Sequence, residues 1–326
     1  MFFGVYFGLG GLLFGVLLLV DPYDTGRFPS FGITGIGDRS MRTADASRGR
    51  NPRFNAAVIG NSTAQRLDPY RLSQESGFRF TQLSIPKLGP EEQLALMRWV
   101  ISHHPNYGAL VIVADPVWCS PDPNRPLDNP FPFWLYGDDL DYLANVLSSK
   151  AIDRAAWRVA IALGLREPVD PVGFTDYLRD GDRPFSDPPA PVLPEALGEG
   201  PWLPGLPWVE RLHEFLATVP QSVRVLVVVP PVYYTVLPRP GSKQAAVIGT
   251  CKAALRRTVA DRPRGAFLDF RVDLVGAHDP TDFVDLVHYR EKLAHQVEDE
   301  IIAQLRFGEV ASRETRPNDH TPVAAQ

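Results

Sequence analysis

"AAVIGNSTAQRLDP", residues 56–69, is an apolar run that stops at Gly60-Asn61-Ser62 and then turns polar. A short run with no polar side chain reads as a strand buried on both faces, and such strands belong to parallel sheets covered by helices. In an open parallel sheet, ligands bind beyond the carboxyl ends of the strands. The stretch therefore predicts that Ser62 stands at the edge of the sheet where chemistry takes place.

Working outward, similar runs predict strands near 55–60, 79–84, 108–114, 223–229 and 265–270. Helical patterns near 90–103, 138–164, 208–218, 242–261 and 290–306 alternate with them. This alternation predicts a doubly wound α/β fold with a five-stranded parallel sheet. Two Pro-rich insertions, near 116–137 and 167–207, break the rhythm. Their aromatic residues, with Trp118, Phe131, Phe133, Trp134, Trp202 and Trp208 among them, suit either an ordered cap lining a groove or rings that pack the loops onto the domain. The polar residues 309–326 read as a disordered tail after a domain spanning 54–308.

Of the 326 residues, 44% are hydrophobic and 22% charged, which fits one large folded unit. A net charge of −5 with no basic stripe excludes a nucleic-acid partner. Cys119 and Cys251 form no C-x-x-C motif, which argues against thiolate metal binding and thioredoxin-like chemistry and leaves open whether they pair. His103 and His104 end a helix, while His278 and His295 lack a ligand pattern, so no metal or cofactor is predicted.

Residues 1–20, "MFFGVYFGLGGLLFGVLLLV", carry no charge. A helix of that length rises about 30 Å, the thickness of a bilayer core, and predicts a single-pass membrane anchor. A cleaved signal peptide would need a basic start and a small-x-small site, and neither precedes Asp21. Arg27, Arg39, Arg42, Arg48, Arg50 and Arg53 follow the span, and by charge alone they would hold the rest of the chain in the cytoplasm. Residues 21–53, rich in Gly, Arg and Ser and without a lasting period, read as a stalk.

A serine hydroxyl is weakly nucleophilic until a base takes its proton. Asp285 and His288, three apart at the predicted start of the last helix, supply that base. A helix N-terminus disfavours imidazolium by about 0.3–1 kcal/mol, whereas an adjacent carboxylate shifts its partner by about 1–3 pH units, so the carboxylate governs. Ser62, Asp285 and His288 then form a triad: nucleophile, orienting carboxylate and general base.

The segments "VIGNSTAQRLDP", "TQLSIPKLGPEEQL", "VVVPPVYY", "FLDF" and "DLVHY", with "LVDPYDTGRF" after the anchor, resemble the SGNH (GDSL-like) hydrolase superfamily, specifically its membrane-anchored bacterial branch. The resemblance covers most of residues 18–306 outside the insertions. It implies a flavodoxin-like α/β/α sandwich, catalytic Ser62, Asp285 and His288, and an extracytoplasmic domain. It further implies an esterase or O-acyltransferase acting on an acylated envelope glycan or a lipid-linked acyl donor, with envelope-biosynthesis proteins as partners; the alternative is a catalytically inactive binding or assembly component. Oxyanion or substrate-binding roles would fall to Asn61, Gly89 and Asp115. Three positions depart from the family pattern. Asn61 replaces the middle residue of Gly-Asp-Ser or Gly-Ser-Ser, Lys87 occupies the place of the second-block glycine with Gly89 two residues on, and Asp115 stands at the strand tip where an asparagine is expected. One missing oxyanion donor costs about 100- to 1000-fold in rate.

Overall fold

The computed structural model describes residues 2–28, 35–38, 40–104, 106–120, 130–176, 185 and 205–307. Its centre is an all-parallel sheet of β1 (Ala56–Gly60), β2 (Phe80–Ser84), β3 (Ala109–Val113), β4 (Arg224–Val229) and β5 (Gly265–Asp269), ordered β2-β1-β3-β4-β5. The chain steps from β1 to β2 on one side, then passes back beyond β1 to β3. The order therefore reverses between β1 and β3, the kind of position at which open parallel sheets bind ligands beyond the strand tips.

Every residue of β1, β2 and β3 is buried. Because side chains alternate across a strand, Ala57, Ile59, Leu110, Ile112, Val225 and Val227 enter one apolar cluster, and Ala56, Val58, Val111, Val113, Leu226 and Val228 enter another. The first cluster is completed by α4 (Pro90–His103), α8 (Pro207–Thr218) and α9 (Lys243–Ala260). The second is closed by α3 (Pro69–Ser76) and α10 (Glu291–Phe307). Gly60 is obligatory at the end of β1, since a Cβ there would lie 2.6 Å from Ala64 Cβ and 3.1 Å from Val113 Cβ. The predicted helix over 138–164 is two helices, α6 (Asp139–Asn145) and α7 (Ser149–Ala162), broken where Ser148 caps the second by accepting from Ala151 N–H. Among the described residues there are ten α-helices, including the short α5 (Phe133–Tyr136).

Residues 21–53 are no free stalk. They contain α2 (Met41–Arg50), which packs on α4 and β2 and buries Asp45 and Arg48 as an ion pair 2.8 Å apart. The apolar helix α1 (Phe2–Val20) is long and apolar enough to cross a membrane, with Phe3, Phe7, Leu9 and Leu12 exposed. At its lower end Leu17 and Val20 enter the core of the domain. Directly after it, Asp21 accepts from Thr25 Oγ1 (2.9 Å) and Gly26 N–H (2.7 Å), while Asp24 accepts from Ser47 Oγ (2.7 Å) and pairs with Arg50. Arg158 of α7, fully buried, reaches the Asp24 carboxylate at 3.2 Å and also bonds the Asp21 carbonyl. The apolar helix is thus joined to the domain by a buried ionic network.

Of the aromatic residues in the insertions, Trp118, Phe131 and Trp208 are core residues, Trp134 packs against them, and Phe133 is partly exposed. Their rings pack the loops onto the domain instead of lining a groove. Trp202 and residues 309–326 lie outside the described residues. Cys119 and Cys251 form a disulfide that ties the segment after β3 to α9 across 132 residues of chain.

Candidate active site

Three sequence-distant segments meet at the tips of β1 and β3. Ser62 follows β1 by two residues, in a turn that passes into a 3-10 segment, Ala64–Arg66, before α3 begins at Pro69. The serine therefore caps no α-helix and gains no helix dipole; Asp68 is the cap of α3, accepting from Tyr70 N–H at 2.8 Å. Asn61 shapes the turn, its Oδ1 accepting from both the N–H (3.0 Å) and the Oγ1 (2.9 Å) of Thr63. Gln82 Nε2 donates to the Ala64 and Leu67 carbonyls, fixing the following segment on β2.

Asp285 and His288 lie in a tight loop that precedes α10, which starts only at Glu291, so the predicted helical placement of the pair is wrong. Asp285 Oδ1 accepts from the N–H groups of Val287 and His288, each at 2.9 Å, and this local bonding competes with helix. A bridge between Phe283 and Tyr289 and a bond from Val284 N–H to the His288 carbonyl (2.8 Å) close the loop. The loop aims the imidazole at β1. His288 Nε2 is 2.8 Å from Ser62 Oγ, and His288 Nδ1 is 2.6 Å from Asp285 Oδ2. With Nδ1–H donated to the carboxylate, Nε2 is the acceptor for the serine proton. Partial burial raises the Asp285 pKa, but the bonds from His288 and the backbone N–H groups outweigh it and hold the carboxyl down to about 2. Asp285 is thus a carboxylate at neutral pH.

The three remaining predicted site residues are not equivalent. Asn61 Nδ2 donates to Asp115 Oδ2, so these two form an amide–carboxylate pair between the tips of β1 and β3. Asp115 Oδ1 also accepts from Val117 N–H at 3.1 Å. Gly89 is the N-cap position of α4, beside the Glu92 carboxylate. The Ser62 N–H, by contrast, donates no hydrogen bond among the described residues and is available to an oxyanion.

Tyr289 is a residue of the site that sequence reading passed over. Fully buried beside His288, it donates its hydroxyl to the Thr63 carbonyl at 2.8 Å, joining the His288 loop to the Ser62 turn. An aromatic residue next to the histidine was the available signal, but its partner lies 226 residues away. Among the described residues no group of three or more His, Cys, Asp or Glu side chains is arranged to hold a metal ion.

Comparison with known proteins adds no relative: no family model matches the chain, and neither does any curated protein.

Proposed function

We propose that the chain is a membrane-anchored serine esterase or O-acyltransferase of the SGNH type, acting on an acyl ester of a cell-envelope glycan or of a lipid-linked donor. One observation carries this reading: the Ser62–His288–Asp285 relay, with contacts of 2.8 and 2.6 Å, at the carboxyl edge of a parallel sheet. The strand order and the apolar clusters on both sheet faces support a flavodoxin-like three-layer sandwich. The disulfide supports an extracytoplasmic domain, because such bonds persist in oxidising compartments.

In this reading Ser62 Oγ attacks the acyl carbonyl as its proton passes to His288 Nε2, and the Asp285 carboxylate stabilises the imidazolium. The Ser62 N–H bonds the developing oxyanion. Collapse expels the alcohol, which takes the proton from His288 and leaves acyl-Ser62. Water or a sugar hydroxyl, deprotonated by the same imidazole, then attacks the acyl group and releases the serine.

The Asp115 carboxylate favours a second reading, a binding or assembly component with the same site. An acid at the tip of β3 contributes no donor to an oxyanion. The two readings separate on turnover. With full-length protein in detergent and p-nitrophenyl acetate as probe, the enzyme reading predicts hydrolysis that Ser62→Ala lowers by at least about 10³-fold. Equal rates in the two proteins would overturn it, and glycan binding without turnover would support the second reading.

A further inference from the structure

Arg271 is the most unusual charged residue near the site. Only 8% exposed, it makes no side-chain hydrogen bond or ion pair among the described residues. Its two terminal amino groups have no acceptor among the described residues, yet they are not enclosed. Arg262, equally buried, shows what a structural arginine looks like in this fold. Its terminal nitrogens donate to the carbonyls of Leu216, Val219, Pro220 and Val223.

Sheet register locates Arg271. Ile59 pairs with Ile112, Val113 with Val228, and Val228 with Leu268, so Gly60, Val113, Val228 and Leu268 lie level. Ser62 and Asp115 stand two residues beyond that level and Arg271 three, all on the carboxyl edge. At about 4.8 Å between strands, the Arg271 backbone lies about 10 Å from that of Asp115 and about 14 Å from that of Ser62. The guanidinium is near enough for the charge of Asp115 to act on it.

The two acids that influence Arg271 are both engaged elsewhere. Asp269 is paired with Lys252 at 2.9 Å and accepts from the Arg271 N–H at 3.1 Å. Asp115 is bonded by Asn61 and Val117. Burial lowers the Arg271 pKa and the two acids only partly oppose that, so the guanidinium is desolvated without compensation. An anion supplied from outside would provide it. A planar guanidinium with free terminal donors matches the oxygens of a carboxylate or a phosphate.

We propose that Arg271 is the anion-binding residue of the site, taking a carboxylate or phosphate of the acyl-bearing substrate while Ser62 faces the ester. Resting on the esterase or acyltransferase reading above, this makes the substrate acidic: a uronate-containing glycan or a phosphate-linked sugar.

The test is binding of glucuronate, glucose 1-phosphate and neutral glucose to full-length protein in detergent, measured by titration calorimetry. At least one anion binds wild type, and Arg271→Met weakens it tenfold or more, while glucose binds neither. Glucuronate binding identifies the carboxylate as the source and glucose 1-phosphate the phosphate. A measurement on wild type alone guards against misfolding of the variant: the bound anion slows phenylglyoxal modification of Arg271, read by peptide mass, and glucose does not. No anion binding by wild type, equal binding by the variant, or no protection would overturn the assignment. Ser62→Ala retains anion binding, so loss of ester turnover claims and loss of this site are read separately.

Discussion

A serine hydroxyl attacks a carbonyl only when its proton has somewhere to go, and at Ser62 the acceptor is a single imidazole nitrogen 2.8 Å away. The tautomer that leaves this nitrogen bare depends on Asp285, which is ionised because three hydrogen bonds favour its carboxylate form. Asp285→Asn keeps the shape but presents the imidazole with the wrong tautomer, and ester turnover is expected to fall by about 10⁴-fold with the unfolding midpoint nearly unchanged. Steady-state kinetics beside a thermal melt would check this; a variant within tenfold of wild type would remove Asp285 from the mechanism. The three residues were legible in the sequence for different reasons. Ser62 ends a run too apolar for anything but a buried strand, and Asp285 and His288 are close enough along the chain for their contact to be local. Arg271 and Tyr289 were not legible, because what singles them out is a partner, or a missing partner, supplied by remote segments.

At the scale of elements, α10 and α3 hold the nucleophile turn against the sheet through Glu298. This fully buried carboxylate accepts from Asp68 N–H at 2.7 Å and from Arg71 Nη1 at 2.9 Å. Burial raises its pKa to about 7 despite these bonds. A carboxyl whose pKa is higher in the folded state binds its proton more tightly there, so its contribution to stability is full below about pH 4.3 and is lost as pH rises through about 7. Glu298→Gln is expected to flatten the fall in melting temperature between pH 5 and 8. An unchanged slope, measured by scanning calorimetry, would contradict this. The same scale explains what the sequence concealed. The α2 segment, MRTADASRGR, has no apolar stripe, and its helix rests on packing of small residues against α4 and on the buried Asp45–Arg48 pair. The Asp285 loop looked helical because its spacing suits a helix, and only the Asp285 side-chain bonds to its own backbone reveal the turn.

For the whole molecule, the apolar helix α1 and the α/β domain are packed together, since the foot of α1 contributes Leu17 and Val20 to the core and Asp21 and Asp24 bind the buried Arg158. Removing one member of such a buried network costs about 3–5 kcal/mol. Full-length protein is therefore the right material for assays. The Cys119–Cys251 bond closes a loop of 132 residues, and its loss is expected to cost about 2–5 kcal/mol. Reduction under non-denaturing conditions should lower the melting temperature; an unchanged melt in a fully reduced sample would show that the cross-link contributes nothing. The strands and their parallel arrangement were legible from apolar runs alone, whereas the pairing of the cysteines was not, because only folding brings the segment after β3 beside α9.

The most direct measurement of the central claim is reaction of the full-length protein with a fluorophosphonate, followed by intact mass and peptide mapping. An activated serine predicts one adduct, at Ser62, that is absent in Ser62→Ala and abolished in His288→Ala. A well-folded wild-type protein that takes up no label, or labelling that survives in His288→Ala, would contradict the account.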